Sequence, residues 1–151
     1  MTGGNTAFEG GYVGFWARVL ASLIDSILAL FIIIPVVLVV YGKDYFAYVG
    51  LFRGPVDMLM NIVFPAVAII LFWVARSATP GKMLISAKIV DANTGNKPAT
   101  SQLIVRYLSY YVSMLPLFLG FIWVAFDKRK QGWHDKLART VVVYGRRRER
   151  T

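Results

Sequence analysis

Residues 15–40 read FWARVLASLIDSILALFIIIPVVLVV, and one acid, Asp25, interrupts an otherwise apolar run from 19 to 40. As a helix the 22 residues of that run rise about 33 Å at ~1.5 Å each, enough to cross a hydrocarbon core of ~30 Å. Asp25 lies ~15 Å in from Phe15, near the midplane of such a span. A carboxylate there costs at least ~2.5–3.5 kcal/mol, so it needs a partner or a purpose. Arg18 precedes it by seven residues, two turns away on the same face, with Ser22 between them. A helix facing only lipid has no reason to carry that stripe.

The rest of the chain has the same character. It has 151 residues, 57% of them hydrophobic, and a net charge of +9, and the apolar excess is gathered into long runs, as in a polytopic membrane protein. Nine of the 17 Lys and Arg residues follow Phe126. Basic residues clustered beside a hydrophobic segment record the cytoplasmic side of a membrane rather than a nucleic-acid footprint. No cysteine is present, which excludes disulfides, thiolate catalysis and cysteine metal sites. The first apolar run is too long for the core of a cleaved signal peptide, and no small-residue cleavage site follows it.

The spacing predicts an all-α membrane protein. A polar lead-in over 1–14 precedes a membrane domain over 15–144 and a basic tail over 145–151. Helix one covers 15–40, with Pro35 bending its far half. An aromatic loop over 41–54 leads to helix two over 55–75, with Pro55 in its first turn and Pro65 kinking its interior. Asp57 and Asn61 share a face there and read as a solvated helix end. The sequence from Thr79 to Lys82 reads as a turn, 83–91 as a strand, and 140–144 as a second strand. Thr100 is a candidate cap for the next helix.

Pairing of those two strands would form a small cytoplasmic β element. It would also put the 76–102 connection and the tail on one side of the membrane. The third hydrophobic segment, 103–126, is then either a third span or a re-entrant hairpin broken near Pro116 and Gly120. Arg106, Ser109, Tyr110 and Ser113 form a polar stripe at helical spacing, and with the charge asymmetry they favour the hairpin. Trp16, Trp73, Trp123 and Trp133 would form one interfacial belt.

Several motifs together suggest a family. FWAR at 15–18 leads into the helix bearing Asp25, TPGKM follows at 79–83, KIVD at 88–91, and FDKRKQGWHDKL at 126–137. This order resembles the RDD family of small bacterial membrane proteins, named for one arginine and two aspartates. The resemblance implies that Arg18 and Asp25 are the first two of these. It leaves the second aspartate to Asp127 or Asp135, with Asp135 preferred for its place in the HDKLA block. Such blocks often continue with Gly-Thr, whereas Arg139 precedes Thr140 here. Transport is the usual suggestion for the family.

Asp25, tuned by Arg18 or Arg106, is therefore a candidate proton- or cation-exchanging group, and the alternative is a structural ion pair. His134 stands without a metal-ligand set and reads as a structural histidine. No catalytic constellation, cofactor site or metal site is expected, and neither is enzymatic activity. The leading reading is cation or proton transport in the inner membrane with both termini cytoplasmic. The competing one is a non-transporting module that binds a partner protein or anionic lipid. With few crossings, a homo-oligomer or another membrane protein is expected to complete the polar face. Ala21, Ser22, Ser26 and Ala29 would supply the close approach.

Overall fold

The computed structural model describes residues 11–145, so most of the lead-in and the tail beyond Gly145 lie outside the described residues. Helix α1, Phe15–Tyr41, continues through Pro35. At ~1.5 Å per residue its 27 residues extend about 40 Å. A short 3₁₀ turn, Lys43–Ala47, follows. Helix two is built from α2 (Pro55–Met58), a π turn (Leu59–Val63) and α3 (Phe64–Arg76). The π turn lies just before Pro65, whose missing N–H removes one helical hydrogen bond; widening the preceding turn absorbs the defect. Phe15–Tyr41 and Pro55–Leu84 are both long and apolar enough to cross a membrane. Large side chains such as Leu23, Phe31, Val39 and Leu71 remain exposed along them, as a lipid-facing surface requires.

After α3 the structure departs from the sequence reading. Ser77 adopts the left-handed conformation and ends the helix. Thr79 is extended, and Pro80–Leu84 forms a short helix, α4, with Pro80 in its first turn. The expected strand over 83–91 is therefore shorter: β1 is Ala87–Asp91. The Thr-Pro-Gly sequence serves as a helix start, since Pro suits the first turn, where its absent N–H costs nothing.

β1 pairs antiparallel with β2, Thr140–Tyr144, with Ile89 opposite Val142. Tyr12 adds an isolated bridge to Val143, and the Val13 amide donates to the Val142 carbonyl at 2.9 Å. The β-branched run of β2 suits this pleated, buried setting. One face of the sheet packs Ala87, Ile89 and Val142 against Val13, Trp73 and Leu103. The other gathers Val90, Val141 and Val143 beneath Tyr12.

The third hydrophobic segment is broken. Helices α5 (Thr100–Met114) and α6 (Leu119–Phe126) meet at 101°. Leu117 and Phe118, just after Pro116, take positive φ. Gly120 lies beyond the break, at a close approach: a Cβ there would lie 2.7 Å from the Ser113 Cα. Because β1 and β2 are hydrogen-bonded neighbours, chain leaving β1 as α5 returns to the same sheet through α6 and α7 (Trp133–Leu137). A single crossing by 103–126 does not allow that. The α5 cap also differs from expectation. Ala99 is the N-cap, Thr100 is the first helical residue, and the Gln102 side chain accepts from the Ala99 amide at 2.9 Å.

Candidate functional site: a buried arginine–aspartate cluster

Helix α7 begins at Gly132, whose amide donates 2.9 Å to Asp135 Oδ2, so the carboxylate caps its own helix. Arg18, entering from the start of α1, donates from Nη1 to the same oxygen at 2.6 Å. Arg106, from the middle of α5, donates from Nη1 to Oδ1. Asp135 is fully buried, Arg106 is 1% exposed and Arg18 11% on its side chain. Burial alone would raise the Asp135 pKa, but the Arg106 and Arg18 guanidiniums outweigh it and hold the carboxyl well below the usual range.

Further contacts fix both arginines. Arg18 Nε donates to the Val13 carbonyl at 3.0 Å and Nη2 to the Lys130 carbonyl. Arg106 Nη1 also reaches Thr140 Oγ1 at 2.7 Å, and its guanidinium lies over the Trp73 and Tyr110 rings at 5.4 and 5.8 Å. Five segments thus converge on one carboxylate: the 11–13 bridge, α1, α5, the 127–132 turn and the start of β2. His134 fills the remaining side. Its Nε2 lies 3.5 Å from Asp135 and its ring packs 4.6 Å from Tyr110. Burial pushes its pKa down to about 3 against the pull of Asp135, so His134 is neutral at ordinary pH.

Asp25 is held differently. It makes no ion pair with Arg18 or Arg106 among the described residues; Thr79 Oγ1 donates to it at 2.5 Å and the Gly81 amide at 2.7 Å. The partners that the sequence suggested are engaged by Asp135. Asp25 instead caps the start of α4 from across the helix pair. Contact between α1 and α4 is close enough that a Cβ on Gly81 would lie 2.0 Å from the Ala21 carbonyl oxygen. Ala21 is consequently buried within the chain, whereas Ser22 and Ser26 remain exposed. Beside this turn Lys82 is only 7% exposed, with no hydrogen bond or ion pair among the described residues. It lies within electrostatic range of Asp25, Asp135, Arg18 and Arg106.

Asp127 belongs to neither group. Lys136 meets its Oδ1 at 2.7 Å, while the Arg129 and Gln131 amides donate to its Oδ2. It caps the turn that carries Lys130 to Arg18. Burial would raise its pKa, but Lys136 and those amides lower it.

Asp57, read as a solvated helix end, is instead buried. Its carboxylate takes hydrogen bonds from Tyr45, the Arg53 amide and Asn61, which close the loop at the other end of the spans. Trp73 also differs from expectation: it is fully buried beside Arg106 rather than in an interfacial belt, while Trp16 is 79% exposed. The sequence reading did not single out Thr79, Gly81, Lys82, Trp73 or Thr140 as site residues. The TPGK motif beside a lone intramembrane acid was the available signal.

The family model described as the RDD family matches residues 12–139. An uncharacterized protein of Rickettsia prowazekii is 32% identical over 111 residues, covering 69% of this chain and 62% of its own length. The uncharacterized protein YxaI of Bacillus subtilis is 31% identical over 147 residues, covering 87% of this chain and 96% of its own. A proline-rich antigen homolog of Mycobacterium tuberculosis shares 30% identity over 63 residues, 42% of this chain and 26% of that protein. No solved structure matches.

Proposed function

The chain belongs to the RDD family, and we propose that it carries a proton or small cation across the inner membrane at Asp25, as a homo-oligomer or with another membrane protein. The observation that carries this reading is the division of labour among the charges. Both arginines engage Asp135, which leaves Asp25 inside an apolar span with two neutral donors and no paired cation. A carboxylate so placed can take a proton or cation in exchange for the Thr79 and Gly81 contacts. Lys82 is buried within electrostatic range of Asp25 but makes no ion pair with it among the described residues. The side of the sheet end follows from the basic excess beyond Phe126: both termini are cytoplasmic, and reporter fusions at Gly95 and Thr151 are expected to give the same cytoplasmic readout.

One observation favours a second reading. Both Asp25 oxygens are already occupied, as in a purely structural helix cap, and that arrangement suits a non-transporting membrane module. Ion flux into proteoliposomes containing only this protein separates the two. Transport predicts dissipation of an imposed pH or cation gradient by the wild type and its loss in Asp25→Asn. A folded wild type that moves no proton, sodium or potassium would remove the transport reading.

A further inference from the structure

Beyond the arginine–aspartate cluster, the sheet end carries an open hollow of about 350 Å³ lined by Ala92, Asn93, Arg129, Gln131, Lys136 and Arg139. Its lining has three cations, two side-chain amides and no carboxylate. We propose that this hollow binds the phosphate of an anionic phospholipid headgroup.

The fold sets the cations in place. Arg129 Nη2 donates to the Ala92 carbonyl at 2.7 Å, which pins its guanidinium to the rim. Gln131 Nε2 donates to the Thr140 carbonyl at 2.8 Å and fixes the floor. Arg139 stands at φ 55 just before β2; its exposed side chain makes no hydrogen bond or ion pair among the described residues. A planar guanidinium in that setting suits two oxygens of one phosphate.

The position favours a lipid over a soluble phosphate. Lys136 lies 5.7 Å over the Trp123 ring, and Trp123 packs 6.4 Å from Trp133. Paired tryptophans mark headgroup depth. From there the α6 surface presents Leu119, Ile122 and Phe126 to the outside, an apolar track for an acyl chain. Lys136 is paired with Asp127, whose carboxylate also accepts from two backbone amides, so Arg139 supplies the unpaired charge of the hollow among the described residues.

The test is native mass spectrometry of the full chain in mild detergent, titrated with phosphatidylglycerol or phosphatidylcholine. The expected result is preferential retention of phosphatidylglycerol. Arg139→Gln should weaken it about fivefold, as removal of one interfacial cation does. Arg53→Gln, at the opposite end of the spans, should leave the preference intact. Equal retention of the two lipids, or an unchanged preference in Arg139→Gln, would overturn the proposal. So would displacement of the lipid by millimolar inorganic phosphate that binds the hollow on its own, since this would identify a soluble-anion site.

Discussion

Asp25 and Asp135 both act on Lys82, yet they are held in opposite ways. Asp135 is enclosed by two guanidiniums and a backbone amide, and Asp25 by one hydroxyl and one amide. Charged donors fix both the geometry and the ionisation of a carboxylate, because neutralising it would strand the cations. Neutral donors fix the geometry without tying the carboxylate to a fixed cation. One aspartate therefore assembles the sheet end, and the other, which joins α1 to α4 through neutral donors, is the exchanging group of the proposed function.

The comparison breaks most visibly if the lock is removed. Asp135→Asn leaves Arg106 buried and Arg18 nearly so without their anion, and removing one partner of a buried pair costs about 3–5 kcal/mol. Loss of the monodisperse species by fluorescence-detected gel filtration is the expected outcome; a stable protein would show that the cluster is dispensable.

Acid sharpens the comparison at the same end. The folded His134 pKa is pushed down to about 3, below an unfolded value near 6.5. Its contribution is complete above that value and is lost as pH falls through 6.5 toward 3, about 2 kcal/mol by pH 5. The Asp135 shift has the same sign. Its contribution is present above the usual carboxylate range and lost as pH falls below about 4. Thermal midpoints in detergent should fall from pH 7 to 5, and His134→Gln should flatten that first stage.

Gly81→Ala probes the other aspartate. Its Cβ would meet the Ala21 carbonyl oxygen at 2.0 Å, so α4 must move away from α1, at about 1–3 kcal/mol as for other overpacked contacts. Lower thermal stability and a displaced Asp25 are expected, with flux falling alongside. Unchanged stability would place α4 elsewhere.

Much of the sheet end was legible in the sequence because its signals are local. The β-branched run at 140–143 and the Ile89-Val90 pair announced two strands, and these pair with each other. Pro116 announced the break in the third segment. The partner of Asp25 was not legible, since Thr79 and Gly81 lie 54 and 56 residues away. A Thr-Pro-Gly sequence also serves equally as a turn and as a helix start. Trp73 was misplaced for a related reason: a tryptophan at the end of an apolar helix fits an interface until Arg106 folds over its ring. The spacing of Arg18 and Asp25 was real, but Arg18 is drawn toward Val13 and Asp135 by the sheet, which a single-helix view does not contain.

A loss of stability smaller than that of Asp135→Asn accompanies the largest expected loss of activity. Asp25→Asn keeps the shape of the side chain and gives up one charge-assisted acceptor, worth about 1.5–3 kcal/mol. Stability in detergent and ion flux in proteoliposomes, measured on the same preparations of wild type, Asp25→Asn and Asp135→Asn, test the separation of the two aspartates most directly. The account predicts a stable Asp25→Asn without flux and an Asp135→Asn that fails to hold its fold. Full flux in Asp25→Asn, or collapse of that variant alongside Asp135→Asn, would contradict it.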